Sequence, residues 1–371
     1  MEIQQIIEVI EKLAPPALQE NYDNAGLLVG DKNGKVNKAL ICLDVTEKVI
    51  DEAISLNAGL IISHHPLIFQ GLKKISQSDL IGKMVIKAIK NDIAIYAVHT
   101  NLDNVDSGVN KQICEKLDLK NCRILKPKPG LLKKLVTFCP DIKLADGSYV
   151  PDVVRKALFD AGGGWIGNYD CCSYNVEGIG TFRGLENTNQ YIGKQFEITD
   201  QKEIRMEIIF PAFMQQKMIT ALLESHPYEE VAYDIYSLDN CHPGYGAGMV
   251  GDLTFEMDEN KFLELVKERL EVVFLRHSTL KGKKINRVAV CGGAGSFLIP
   301  DALSVKANVF ITADLKYHDF FAAESGILLV DAGHFETEQF TINLLYEYLT
   351  KYFPNFAFQK ISFKTNPINY L

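Results

Sequence analysis

Three short apolar runs, Ala39–Val45, Leu60–Ile62 and Ile93–Val98, alternate with segments 2–13, 47–57 and 79–90, whose apolar residues recur at helical spacing. Runs this short and this apolar read as strands buried on both faces of a parallel sheet, so the first third is a helix-and-strand α/β layer. The last third repeats the pattern, with helices over 260–270, 300–304 and 338–350 and strands over 287–291, 309–312 and 327–330. The middle differs. From Lys134 to about Leu238 the order reads strand (135–139), helix (150–161), strands (172–176 and 179–183), strand (204–210), helix (213–224), strand (231–236), close to the β-α-β-β-α-β order of a ferredoxin-like unit. Turn-rich stretches, Lys126-Pro-Lys-Pro-Gly130 and Asn240–Gly248, mark its two ends. The fold expected is therefore α/β: a discontinuous two-block α/β unit (1–130 and 244–371) with an inserted ferredoxin-like α+β domain (131–243).

A chain of 371 residues with 47% hydrophobic and 23% charged residues excludes disordered and fibrous classes and supplies a sizeable core. The formal charge of −8 disfavours direct binding to nucleic acid or anionic lipid. Apolar runs such as 58–62 and 326–330 are far too short to span a bilayer. The N-terminal segment MEIQQIIEVIEKL is acidic and amphipathic where a secretory signal is basic and then apolar, which predicts a cytoplasmic protein. The eight cysteines form no CxxC and no disulfide framework, and read mostly as small reduced core residues. Cys171 and Cys172 fall in a predicted strand and would face opposite sides of it. His226 and His242 read as surface residues of the middle block.

Chemistry concentrates where strands end. Leu60–Pro66 places His64 and His65 directly after a buried strand, Ile93–Asp103 runs from a strand into His99 and Asp103, and Ile327–Glu338 runs through a glycine turn to His334 and Glu338. The last two stand at i and i+4, one above the other on a helix face. In open α/β sheets, ligand crevices form at the carboxyl ends of the strands. Singly, each motif has an ordinary explanation: an incidental histidine pair, a turn or cap aspartate, an acidic helix N-terminus. Jointly, His64, His65, Asp103, His334 and Glu338 need partners once desolvated, and a metal supplies them. Five protein ligands exceed the three plus water of one catalytic zinc, so two divalent ions sharing a carboxylate are expected, with zinc first and manganese, iron, cobalt or nickel also suited. Two such ions about 3.5–4 Å apart suit hydrolysis.

Asp44, Asp314, His318 and Asp319 also follow strands, where they would orient ligands or move protons. Gly246–Gly251 matches GxGxxG but lacks the strand-then-helix context of a dinucleotide site. Arg287–Ser296 does run from strand through glycines toward a helix, so its amides are candidates for holding an anion.

These motifs, in order, are Asn21-Tyr-Asp-Asn-Ala-Gly-Leu-Leu-Val-Gly30, Ser63-His-His-Pro66, His99-Thr-Asn-Leu-Asp103, Thr312-Ala-Asp-Leu-Lys-Tyr-His-Asp319 and Gly333-His-Phe-Glu-Thr-Glu338. Together they resemble the GTP cyclohydrolase I type 2 homologue family, the Nif-three-like proteins. The resemblance implies a two-metal protein with ligands at His64, His65, Asp103, His334 and Glu338; Tyr22 stands where the family often has tryptophan. Trp165-Ile-Gly-Asn-Tyr169 and His226-Pro-Tyr-Glu-Glu230 look like the CutA/PII-like insert of its longer, homohexameric members. The function expected is a dinuclear metal hydrolase of a nucleotide-like small molecule, resembling GTP ring opening, with His99 and His318 as proton carriers. The alternative is a non-catalytic, metal-binding regulatory or scaffold protein.

Overall fold

The computed structural model describes residues 1–370 as a mixed α/β protein with three main sheets. Contacts divide the chain into two compact units, one made of residues 1–127 and 244–371 and the other of 128–243.

In the first unit, a five-stranded sheet runs in the order Gly26–Val29, Ala94–Ala97, Leu60–Ser63, Lys38–Cys42, Ala357–Lys360. The last four strands are parallel, and only the Gly26–Val29 edge is antiparallel. Every residue of Leu60–Ser63 and Ala94–Ala97 is buried, which is why these strands read as continuous apolar runs rather than alternating ones. Helices Glu47–Ser55 and Leu80–Lys90 press Val49, Ile50, Met84 and Val85 against Leu40, Ile61 and Ile95. Each helix starts on a side-chain cap: Thr46 accepts from the Val49 amide and Asp79 from the Gly82 amide. A second sheet runs Arg276–His277, Leu328–Asp331, Val309–Ala313, Lys284–Ala294, Gly246–Asp258, Lys120–Pro127, parallel only across its second to fourth strands.

The second unit is one antiparallel sheet, in the order Tyr174–Phe182, Thr199–Pro211, Leu132–Pro140, Tyr233–Leu238. Helices Val150–Asp160 and Gln215–Ser225 cover one face through Val154, Leu158, Met218 and Leu222. Among the described residues no helix is long and apolar enough to cross a membrane.

Several local expectations change. Cys171 and Cys172 precede the strand instead of lying in it, and Cys171 takes a left-handed φ of 53°. The two short strands expected over 172–183 are one, Tyr174–Phe182, because glycines at 178 and 180 do not interrupt an extended strand paired along its length. Gly246–Asp258, whose first glycines belong to the stretch read as turn-rich, is a 13-residue strand. A Cβ on Gly246 would lie 2.2 Å from the Lys126 carbonyl oxygen, so glycine there serves close backbone approach. His226 is buried, its Nε2 hydrogen-bonded to the Phe138 carbonyl at 3.1 Å.

Candidate metal centre

The strand Leu60–Ser63 delivers His64 and His65 without a break: their amides donate to the Cys42 and Leu43 carbonyls, extending the parallel ladder. The neighbouring strand Ala94–Ala97 leads to His99 and the single-turn helix Thr100–Asp103. In the second sheet, Leu328–Asp331 turns at Gly333 into the helix His334–Glu338, one turn earlier than the periodicity indicates. The continuation to Tyr352 is a separate helix starting at Thr341.

Four imidazoles converge, each engaged through Nδ1. His64 Nδ1 donates to the Val98 carbonyl (2.8 Å), His65 pairs with Asp44 Oδ1 (2.7 Å), His99 with Asp23 Oδ1 (2.8 Å) and His334 with Asp314 Oδ2 (2.7 Å). A carbonyl can only accept, so neutral His64 carries its proton on Nδ1 and a lone pair on Nε2. Asp44 and Asp314 thus do what their places after strands suggest, orienting His65 and His334 through Nδ1. Asp314 holds its position with a left-handed φ of 56°, a conformation aspartate tolerates better than most residues.

Glu338 sits at the centre. Oε2 lies 2.8 Å from His65 Nε2 and 3.1 Å from His334 Nε2, while Oε1 lies 3.8 Å from His64 Nε2. His64 Nε2 and Asp103 Oδ1 are both shut off from solvent, 3.6 Å apart, and neither has a hydrogen-bond partner. A buried lone pair facing a buried carboxylate oxygen is costly unless a cation joins them. Two ligands at 2.0–2.2 Å from a tetrahedral ion stand roughly 3.3–3.6 Å apart, which fits this gap. Three clusters bring their ligand atoms within 4.8 Å of one another: His64, Asp103 and Glu338; His65, His334 and Glu338; His64, His65 and His99. Sequence reasoning gave His99 only a proton-carrying role, whereas its ring lies within reach of a metal as well.

Burial lowers the pKa of His64. It would lower His65 and His334 too, but Asp44 and Glu338 hold His65 at about 10, and Glu338 and Asp314 hold His334 at about 9. Burial and the charge of Glu338 push Asp103 well above the usual carboxylate range. Glu338 goes well below it, because hydrogen bonds from the surrounding histidines outweigh its burial. Asp23 falls to about 2: burial opposes, and the bonds from His99 and Thr100 prevail.

The centre opens into a cleft of about 410 Å³ whose lining includes Tyr22, Phe69 and Phe297. Tyr22 and Phe69 stand with ring centroids 6.4 Å apart, and Phe69 meets His99 edge-on. His318 is not brought here. It is exposed on the 3₁₀ segment Tyr317–Ser325, stacked on Phe321, and does not line the cleft. Two of the glycines after Arg287 spend their amides on side chains rather than on an anion: Gly292 N donates to Asn110 Oδ1 and Gly293 N to Thr337 Oγ1. They make room instead, since a Cβ on Gly293 would lie 2.3 Å from Glu338 Oε1. Glu336, buried on the same helix as His334 and Glu338, accepts from Asn366 Nδ2 at 2.9 Å.

The chain matches the family model described as Duf34/NIF3 (NGG1p interacting factor 3) over residues 1–367. A Bacillus subtilis protein named GTP cyclohydrolase 1 type 2 homolog is 40% identical over 334 residues, covering 90% of this chain and 88% of that protein. A Staphylococcus epidermidis protein of the same name is 32% identical over the full length of both. The crystal structure of a Bacillus cereus protein related to NIF3 superposes with a TM-score of 0.86 at 39% identity, covering 100% of this chain and 99% of that one. With its motifs in order along nearly the whole length, the chain belongs to the Duf34/NIF3 family.

Proposed function

We propose that the protein is a hydrolase of a nucleotide-like small molecule that works with two divalent ions per chain, zinc first among the candidates. The observation that carries this is the pair of solvent-excluded, unpartnered atoms His64 Nε2 and Asp103 Oδ1, with Glu338 turning one oxygen toward that pair and the other toward His65 and His334. The donor set divides into His64 with Asp103 and His65 with His334, Glu338 being shared. Imidazole and carboxylate donors without thiolate suit zinc, manganese, iron, cobalt or nickel. Bound divalent ions would supply Lewis-acid polarisation and acidify water toward neutral pH.

The chain's own residues do the rest. Asp23 fixes the His99 ring through Nδ1, so Nε2 is the atom that takes up or returns a proton at the cleft. The aromatic rings of Tyr22, Phe69 and Phe297 suit a flat heterocycle. The names of the relatives put GTP on the substrate list. A screen of metal-loaded protein against nucleotides and phosphodiesters tests the reading. Turnover lost in His64→Ala and slowed in His99→Ala supports it; complete inactivity replaces it with the metal-binding scaffold.

The same reading takes residues 131–243 as an inserted ferredoxin-like domain, supported by the β-α-β-β-α-β order and antiparallel pairing there. It takes the protein as a cytoplasmic homohexamer, on the family resemblance; native mass spectrometry giving any other assembly would remove that part.

A further inference from the structure

The second unit has a cavity of its own, about 450 Å³, on the side of the sheet where Glu203 projects between Gly180 and Tyr228. Glu203 is 9% exposed and lies on a strand face opposite the helix-packed residues Met206, Ile208 and Phe210. Its Oε1 accepts from the Tyr228 hydroxyl at 3.0 Å. Across the cavity, both polar atoms of the Gln190 amide are shut off from solvent and unpartnered. An unpaired buried amide costs free energy that a complementary ligand recovers.

The local sequence is shaped around these two heads. A Cβ on Gly180 would lie 2.1 Å from Glu203 Oε2, and one on Gly184 would lie 1.7 Å from Gln190 Oε1. The remaining wall is aromatic, with Phe138, Phe182 and Tyr228 lining the space and the last two rings 6.2 Å apart.

We infer that this cavity binds a planar heterocycle whose edge carries adjacent N–H donors, in the manner of an aminopurine, with Glu203 accepting from that edge, Gln190 pairing with a neighbouring donor or acceptor, and the aromatic rings packing against its faces. The charge around the cavity selects the uncharged or cationic form. Glu229 and Glu230 line it beside Glu203, against the single cation Arg183, so a phosphate on the ligand is disfavoured. Burial raises Glu203 above its ordinary pKa, which a donor edge would reverse. The site shares no residue with the metal cleft and does not depend on the hydrolase reading.

The test is calorimetric titration of the full chain with guanosine, inosine, uridine and guanosine 5′-monophosphate. Guanosine, whose edge offers two adjacent donors, should bind best and its monophosphate more weakly. Glu203→Gln, which keeps shape and removes the charge, should weaken guanosine about ten- to a hundred-fold, and Gln190→Leu about ten-fold. His65→Ala, in the metal cleft, should leave the affinity unchanged. No binding by any of the four compounds overturns the inference. So does binding that survives Glu203→Gln and Gln190→Leu, or binding lost in His65→Ala, which would place the ligand in the cleft.

Discussion

Gly293→Ala should damage the proposed metal centre without replacing any of its ligands. Gly293 has φ +60°, so any L residue pays a left-handed penalty of roughly 1–2 kcal/mol, partly offset by the lower entropy of the unfolded alanine chain. The new Cβ would also lie 2.3 Å from Glu338 Oε1, where ordinary contact begins near 3.4 Å, so about 1 Å must be found. Glu338 has little freedom to yield, because Thr337, next to it, receives the Gly293 amide. Such overpacking costs about 1–3 kcal/mol further. Gly282 supplies the control: φ is +68° and nothing lies within 4 Å of its Cβ position, so Gly282→Ala carries the backbone penalty alone. In differential scanning calorimetry of metal-free protein, Gly293→Ala should melt below Gly282→Ala by roughly 2 °C per kcal/mol of difference. In zinc titrations, Gly293→Ala should lose about 10- to 100-fold in affinity while Gly282→Ala stays near the parent. Equal melting temperatures and equal zinc affinity would refute the claim that this glycine makes room for Glu338.

Zinc binding should release protons: His65 at about 10 and His334 at about 9 must lose theirs, so titrations at pH 7.5 should show heats that vary with buffer ionisation enthalpy. Because both pKa values are raised, their contribution to the metal-free protein is full below the ordinary histidine pKa of about 6.5 and lost as pH rises through 9–10. Buffer-independent heats would contradict this. Asp23, at about 2, has the opposite sign: its contribution of about 2 kcal/mol is present above pH 4 and lost as pH falls through 2, so Asp23→Asn should be less stable at neutral pH and flatten the acid-unfolding curve. Glu338→Gln should cost far more zinc affinity than Glu336→Gln, since only the first faces His65 and His334. His318→Ala, exposed and outside the cleft, should leave zinc content unchanged and any turnover within about two-fold.

The buried strands and the residues that end them were legible, because a strand covered on both faces must be apolar throughout and a histidine after it breaks that pattern. Asp44 and Asp314 were legible for the same reason, lying in the segments that leave the sheet. Asp23 stood in a quoted motif, but its role was not legible: it belongs to an aperiodic loop 76 positions from its partner His99, and only the fold joins them. The strand Gly246–Asp258 was hidden by glycines that look like a turn but serve close packing. The edge strand Ala357–Lys360 mixes exposed and buried residues over four positions, too few for a period to show. His318 followed a strand as the ligands do, yet the chain between Lys316 and Gly326 winds into a 3₁₀ segment that carries it away from the cleft.

The central claim is that His64, His65, Asp103, His334 and Glu338 hold two divalent ions through one shared carboxylate. The most direct measurement is metal content per chain by elemental mass spectrometry after reconstitution with zinc and removal of excess. The account requires two ions in the parent, and at most one in both His64→Ala and His334→Ala. One ion or none in the parent, or two retained in either variant, would contradict it.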